Sequence, residues 1–156
     1  MAQKATNPIP DGMNTVTTYL SFNGDCGNAL EIYPKAFDAK VPFQADKTPE
    51  GKIMHSMIKI GDSNIMMSDI FCPPEDAAGL KSNVWLYVKD CDDLYNKAIK
   101  AGCSVTMPME DVFWGDRLGQ VKDPFGHYWN IASRKLMLTP EEMKQREDEW
   151  MKSKKM

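Results

Sequence analysis

The same order of predicted elements occurs twice in this chain, and that repeat limits the folds open to it. A β-branched and aromatic segment, residues 15–22, predicts a strand, and a predicted helix and three further strands follow it. After a connector rich in Pro and Gly, residues 72–82, the order of strand, helix and three strands begins again at Asn83. Two βαβββ modules in tandem predict an α+β fold, with two curved mixed sheets around a cleft.

The breaks between these segments give the predicted organisation. It comprises a lead-in (1–14), a first module (15–71), a connector (72–82), a second module (83–135) and a C-terminal helical tail (136–156). Asn23 or Asp25 can cap the first helix. In the tail, Thr139 and Glu142 have the spacing of a capping box, so we expect a helix to begin there.

Composition and charge narrow the classes of partner. The 156 residues carry a net charge of −3, whereas a nucleic-acid-binding protein needs a basic face, so we expect no nucleic-acid partner. No stretch approaches the roughly 18 uninterrupted apolar residues of a membrane span, so we expect no membrane partner. Residues 1–12 lack the apolar core of a signal peptide, which predicts a cytoplasmic protein.

The cysteines do not have the spacing of a metal site. No two of the four cysteines have C-x-x-C spacing; they are Cys26, Cys72, Cys91 and Cys103. In a chain without a secretion signal, this pattern predicts reduced thiols rather than disulfides or bound zinc.

The segment 113–131 holds the most conspicuous group of candidate binding residues. Strand alternation places Trp114 and Asp116 on one face and Arg117 on the other. The planar guanidinium of Arg117 suits a carboxylate or phosphate of a ligand, or an ion pair with Asp116 or Asp123. Trp114 and Trp129 can form an aromatic wall against a flat ligand, or pack in the core.

Three segments carry a resemblance to a known superfamily: "GKIMHSMIKIGDSNIMMSD" (51–69), "FWGDRLGQVKDPFGHYWNIAS" (113–133) and "LTPEEMKQR" (138–146). With the module order, they resemble the PhnB-like branch of the vicinal-oxygen-chelate superfamily, which includes glyoxalase I, bleomycin-resistance proteins and extradiol dioxygenases. In the enzymes of this superfamily, His and Glu on the first and last strands of the modules hold a divalent metal, which two adjacent substrate oxygens chelate.

The positions that match those metal ligands carry unsuitable side chains. They fall at Thr17 or Thr18, at Asn83 or Val84, at Ile65 and at Asn130. None is His, Asp, Glu or Cys, and an amide such as that of Asn130 is a poor ligand for a transition metal. We therefore expect no cofactor and no standard four-ligand metal site, although a divalent metal remains possible.

The two histidines have different settings. His55 lies in the middle of a predicted strand, where it is either a hydrogen-bonded structural residue or a ligand or acid–base group. The PhnB-like motif has a His at this position, but the acidic residue that commonly follows two positions later is Met57 here. His127 follows the turn glycine Gly126, where it is solvated or packs at a strand start.

Together these observations predict a protein that binds a small, flat or anionic molecule in the cleft between the modules. The expected ligand-binding residues are Tyr19, His55, Met57, Trp114, Asp116, Arg117, Trp129 and Asn130. The alternative is a metal-dependent lyase, isomerase or dioxygenase with His55 as its catalytic residue and unrecognised further ligands. A third possibility is a scaffold that acts through dimerisation. The resemblance also implies a homodimer, because clefts in this superfamily are often completed by pairing or swapping of modules.

Overall fold

The computed structural model of the chain describes residues 5–7, 9–69 and 82–154. In chain order its elements are β1 (Thr18–Ser21), α1 (Cys26–Phe37), β2 (Asp46–Lys47), β3 (Ile53–Ile60), β4 (Ser63–Ser68), β5 (Asn83–Tyr87), α2 (Cys91–Lys100), β6 (Ser104–Asp111), β7 (Asp116–Lys122), β8 (Tyr128–Arg134) and α3 (Pro140–Lys154). The predicted α+β class and the repeated βαβββ order are confirmed. Within the described ranges, no helix is both long enough and apolar enough to cross a membrane.

The chain divides into two compact units. The first comprises residues 1–34 and 38–77, and the second comprises 35–37 and 78–156. The connector predicted at 72–82 lies outside the described residues, apart from Ser82.

The sheet of the first unit has the order β1-β4-β3-β2, with β1 parallel to β4 and the other neighbours antiparallel. Its apolar core includes Leu20, Ile58 and Met67, all at most 1% exposed. Asp25, one of the two predicted caps, occupies the N-cap position of α1, but its side chain makes no capping hydrogen bond. Instead, the buried carboxylate of Asp69 accepts hydrogen bonds from backbone N–H groups at the start of α1 and of β3.

The sheet of the second unit has the order β5-β8-β7-β6, and β5 runs parallel to β8. Helix α2 is capped by Asp90, whose Oδ1 accepts a 3.1 Å hydrogen bond from the backbone N–H of Asp93. The hydroxyl of Ser133, on β8, accepts from the backbone N–H of Cys91 at 3.1 Å. These contacts tie the helix N-terminus to the sheet.

Residues 111–123 do not form one continuous strand, because β6 ends at Asp111 and β7 starts at Asp116. Gly115 lies in the turn between them at φ 94°, and an added Cβ would be 2.8 Å from the carbonyl oxygen of Leu136. Val41 and Phe43 are residue types that favour strands, but residues 41–45 form none, because Pro42 has no N–H for a ladder. An isolated bridge at residue 40 and the short β2 lie on either side of them.

The predicted tail helix is confirmed as α3, with its capping box. The backbone N–H of Glu142 donates to Thr139 Oγ1 at 3.2 Å, and the backbone N–H of Thr139 donates to Glu142 Oε1 at 3.3 Å. Near the end of the helix, the ring of Trp150 lies 5.3 Å from that of Phe113, measured between centroids. Trp150 is still 42% exposed, so this docking is partial.

Candidate functional site

The second sheet has two chemically different faces. On β7, alternation turns Arg117 and Gly119 toward α2. The guanidinium of Arg117 binds Asp92 of that helix, and a Cβ on Gly119 would be 2.7 Å from the ring of Tyr95. We call the opposite side of this sheet the far face.

The far face is lined by side chains from all four strands; the register places those of β5, β7 and β8, whereas β6 is irregular and Thr106 is placed by its hydrogen bond to Gln120. They are Thr106 and Glu110 of β6, Asp116, Leu118, Gln120 and Lys122 of β7, Tyr128, Asn130, Ala132 and Arg134 of β8, and Asn83, Trp85 and Tyr87 of β5. Most of these side chains are polar or aromatic. The face turned away from α2 is therefore not built as an ordinary apolar packing surface.

Four polar side chains form a hydrogen-bonded chain across the whole far face. Thr106 Oγ1 donates to Gln120 Oε1 at 2.8 Å, and Gln120 Nε2 donates to Asn130 Oδ1 at 2.9 Å. Asn130 Nδ2 donates in turn to Asn83 Oδ1. We call these four residues the amide ladder. Asn130 is 3% exposed at its centre, whereas Thr106 and Asn83 are exposed at its two ends.

A buried carboxylate lies on the same face, toward the start of β7. Asp116 is 4% exposed, and its Oδ2 accepts hydrogen bonds from Tyr87 Oη at 2.9 Å and from Trp114 Nε1 at 2.8 Å. Asp116, Tyr87 and Trp114 are called the Asp116 cluster below. The hydrogen bond to Asp116 raises the pKa of the Tyr87 phenol, because the neutral hydroxyl is the form that donates. The predicted pairing of Trp114 and Asp116 on one face agrees with this contact.

Two aromatic rings of the edge strand β5 remain accessible beside these polar groups. Trp85 is 42% exposed and Tyr87 63% exposed. Their ring centroids are 5.9 Å apart, with planes inclined at 43°. Exposed rings next to fixed hydrogen-bonding groups are the combination by which proteins hold flat small molecules.

Two of the predicted binding residues lie on the other side of the second sheet. Trp129 is fully buried, its indole N–H donates to Asp123 Oδ2 at 2.9 Å, and its ring stacks on Phe37 at 4.1 Å. Arg117 binds Asp92 through Nε at 2.9 Å and Asp111 through Nη1 at 3.3 Å. These contacts raise the pKa of Arg117, and the Arg117 hydrogen bond lowers that of Asp92. The ion-pair partners are thus not Asp116 or Asp123, as the sequence had suggested.

Three more of the predicted binding residues, Tyr19, His55 and Met57, belong to the first unit. Tyr19 and Met57 flank Met66 in the register of the first sheet, and Tyr19 Oη donates to Ser68 Oγ at 2.8 Å. The ring of His55 stacks on that of Phe43, with centroids 5.4 Å apart. Three of the eight predicted residues, Trp114, Asp116 and Asn130, are grouped on or beside the far face.

The residues at the positions implied for metal ligands do not fit a metal. Ile65 pairs with Thr18, and Ile65 itself is 4% exposed in the apolar core. In the second unit, Asn83 and Asn130 hydrogen-bond to each other within the amide ladder. Among residues 5–7, 9–69 and 82–154, no three His, Cys, Asp or Glu side chains come close enough together to hold a metal ion. Amide, hydroxyl and aliphatic groups are not a donor set for a transition metal.

His127 takes the packing role rather than the solvated one. It is 3% exposed, its Nδ1 is hydrogen-bonded to the hydroxyl of Ser82, and its backbone N–H donates to Asp123 Oδ1 at 3.0 Å. The same carboxylate oxygen accepts from the backbone N–H of Phe125 at 2.9 Å. His127 is therefore part of the turn before β8.

The sequence interpretation missed several far-face residues: Trp85 and Tyr87 as exposed rings, and Thr106, Gln120 and Asn83 as ladder members. A signal for three of them was present. In "NVWLYV", alternation places Asn83, Trp85 and Tyr87 on one side of β5, opposite Val84 and Leu86. Nothing comparable marks Thr106, because a register shift in β6 pairs Met107 with Gln120, and Thr106 reaches Gln120 only through its side-chain hydrogen bond.

Comparisons with known proteins agree with this architecture. The sequence model of the Glyoxalase/Bleomycin resistance protein/Dioxygenase superfamily matches residues 15–131 of this chain. The uncharacterized protein Mb0911c of Mycobacterium bovis is 36% identical over 116 residues, which cover 69% of this chain and 76% of that protein.

Solved structures share the fold at lower identity. TioX from Micromonospora sp. ML1 has a TM-score of 0.63 at 22% identity, over 78% of this chain and 98% of TioX. A PhnB protein from Bacillus cereus has a TM-score of 0.63 at 15% identity, over 77% of this chain and 99% of that protein. The chain therefore belongs to the glyoxalase/bleomycin resistance protein/dioxygenase superfamily, with PhnB-like proteins among its structural neighbours.

Proposed function

We propose that this protein binds a flat small molecule on the far face of its second sheet, and does so without a bound metal. The observation that carries the proposal is the position of two half-exposed rings, Trp85 and Tyr87, beside the amide ladder and the Asp116 cluster. The rings offer stacking surface, and the fixed polar groups offer orientation.

The buried polar groups favour a binding role over a purely structural one. Asn130 and Asp116 are 3% and 4% exposed, yet both sit on the side of the sheet away from α2. Buried polar groups contribute little net stability compared with apolar packing. A surface of this kind is better suited to recognising hydrogen-bonding ligands than to filling a core.

The geometry supports a flat ligand more directly than an anionic one. Arg117, the residue that suggested anion binding, lies on the α2 side and already contacts two carboxylates, Asp92 and Asp111. Stacking on Trp85 requires no charge on the ligand. The metal-dependent alternative that uses His55 finds one carboxylate opposite it, that of Asp46 in the register of β2 and β3, but among the described residues no three His, Cys, Asp or Glu side chains come close enough to hold a metal ion.

A nuclear magnetic resonance titration with three planar probes tests the proposal. The probes are 2-naphthamide, 2-naphthamidine and 2-naphthoate, which share a ring system and differ in charge. We expect at least one to shift the indole N–H resonance of Trp85 in a saturable way. Replacing Trp85 with Ala should lower the affinity for that probe by about tenfold, the effect expected from the loss of one stacking contact.

The matched control is Trp150→Ala, which removes another half-exposed indole; this ring packs on Phe113 rather than on a ring of β5. This variant should bind the probe with unchanged affinity. If none of the three probes shifts a far-face resonance at millimolar concentration, or if the shifts map to α3 instead, the proposed binding surface is wrong.

A further inference from the structure

We infer that Asp116 selects a ligand with a planar cationic group, such as an amidinium or guanidinium, whose N–H groups bind Asp116 Oδ1. This inference rests on the proposed function and adds the charge of the ligand to it. The carboxylate would hold the cationic end of the ligand, while the rings of Trp85 and Tyr87 lie against its flat part.

The hydrogen bonds of Asp116 leave one of its two oxygens available. Tyr87 Oη and Trp114 Nε1 both donate hydrogen bonds to Oδ2. Within the part of the chain that the structure describes, no hydrogen bond reaches Oδ1. In the same residues, every fully buried side-chain nitrogen or oxygen has a hydrogen-bond partner, so Oδ1 must keep some contact with solvent. This partly accessible oxygen is the acceptor that the inference assigns to a ligand donor.

The charge of Asp116 is also uncompensated by a direct ion pair. Its two donors are neutral, and among the described residues no basic side chain lies within 4.0 Å of its carboxylate. Arg134 is its cross-strand partner on the far face but makes no such contact. A carboxylate that is 4% exposed loses most of its hydration, and a cation that hydrogen-bonds to it offsets that cost.

The surrounding rings favour the same kind of group. Tyr87, which is 63% exposed, donates directly to Asp116 and carries its ring beside the carboxylate. Trp85 lies two residues before it on the same side of β5, with its centroid 5.9 Å from that of Tyr87. A cation over aromatic faces gains from their quadrupoles, and a planar cation can also stack. An amidinium satisfies both contacts and presents N–H donors to Oδ1.

Two of the probes isolate this charge effect. 2-Naphthamidine and 2-naphthamide have nearly the same shape, but only the amidine carries a positive charge near pH 7. Isothermal titration calorimetry should show the amidine binding wild-type protein about tenfold more tightly than the amide, as expected for one charge-assisted hydrogen bond. In Asp116→Asn, which keeps the size and an acceptor oxygen, the two probes should bind with equal affinity.

Asp93→Asn is the matched control, because it removes the same charge from the exposed surface of α2. It should leave the preference for the amidine unchanged. Arg134→Gln provides a second variant if Asp116→Asn melts too low for titration. Because this variant removes the neighbouring cation, it should bind the amidine more tightly and bind the amide with unchanged affinity.

The possible outcomes separate this inference from the proposed function. If the amide and the amidine bind wild-type protein equally, the cation preference is wrong while the binding surface stands. Tighter binding of 2-naphthoate than of the amidine would also overturn it, since Arg134 or Lys122 would then set the charge preference. If no probe binds, the proposed function itself fails.

Discussion

Gln120 Nε2 donates a 2.9 Å hydrogen bond to Asn130 Oδ1, between two residues that face each other directly in the register of β7 and β8. This bond is the centre of the amide ladder, because Gln120 also accepts from Thr106 and Asn130 also donates to Asn83. Loss of either central residue removes two hydrogen bonds of the ladder and separates its two ends.

Replacing Asn130 with Ala should lower the free energy of unfolding by about 1–3 kcal/mol, because the buried centre of the ladder is lost and the half-buried amide of Gln120 loses its acceptor. Thr106→Ala, at an exposed end of the ladder, should cost less than about 1 kcal/mol. Urea denaturation of both variants measures the difference. Equal costs at the two positions would mean that the ladder is not a connected buried network.

Gly119 should not tolerate a side chain. An added Cβ would lie 2.7 Å from the ring of Tyr95, which is 8% exposed and cannot easily move. We expect Gly119→Ala to lower the free energy of unfolding by about 1–3 kcal/mol through overpacking. Gly27→Ala is the control, since nothing lies within 4 Å of a Cβ there; in a helix it should stabilise by about 0.4–1 kcal/mol. If Gly119→Ala left the free energy of unfolding unchanged, α2 would not be packed tightly on β7.

Two buried thiols should resist alkylation. Burial is the main cause that raises the pKa of Cys26 to about 11 and that of Cys103 to about 12, from an ordinary value of 9.0. Because the thiolate is the reactive form, iodoacetamide at pH 8 should leave both residues unmodified in the folded protein. Mass spectrometry of the Cys26 and Cys103 peptides, with urea-unfolded protein as the control, checks this. Rapid modification in the folded state would contradict the predicted burial.

The same thiols predict how stability changes in alkaline solution. Above about pH 9, the unfolded chain releases these protons while the folded chain retains them, so the folded state binds more protons. The free energy of unfolding should therefore fall between about pH 9 and pH 11. Denaturation at several pH values, compared with Cys103→Ala, measures the effect. If Cys103→Ala has the same pH dependence as wild type, the alkaline loss of stability comes from other groups.

The tail helix should contribute to stability or to association. Trp150 contacts Phe113, while Met137 and Met151 remain 83% and 49% exposed. We expect removal of all residues after Leu138 to lower the melting temperature or to weaken a homodimer, which the superfamily resemblance implies. Light scattering at micromolar concentration tests the dimer, and a monomeric wild-type protein would contradict it. Unchanged melting and association after truncation would show that α3 is not docked.

The fold was accessible from the sequence because its signals are local. Alternation in residues 53–60 and the capping box at Thr139 each depend on neighbouring residues, and both predicted elements are present. The cap of α1 was missed because its acceptor, Asp69, lies more than 40 residues away in sequence. A single sequence gives no sign of such a long-range contact.

The candidate site was only partly accessible for the same reason. Alternation correctly separated Asp116 from Arg117, but the partner of Arg117 is Asp92, on a different element. Trp129 was a candidate for a ligand wall because it is aromatic, yet its alternation on β8 turns it to the buried side. Which face of a strand is buried depends on the helix that packs on it, and that is set by the tertiary structure.

The central claim is that binding does not depend on a metal, and the metal content of the protein tests it most directly. Protein purified without a His-tag should contain well under one equivalent of zinc, nickel, manganese or iron by inductively coupled plasma mass spectrometry. Wild type and His55→Ala should give the same values. One equivalent of any of these metals in wild type, lost in His55→Ala, would contradict the account and support the metal-dependent enzyme instead.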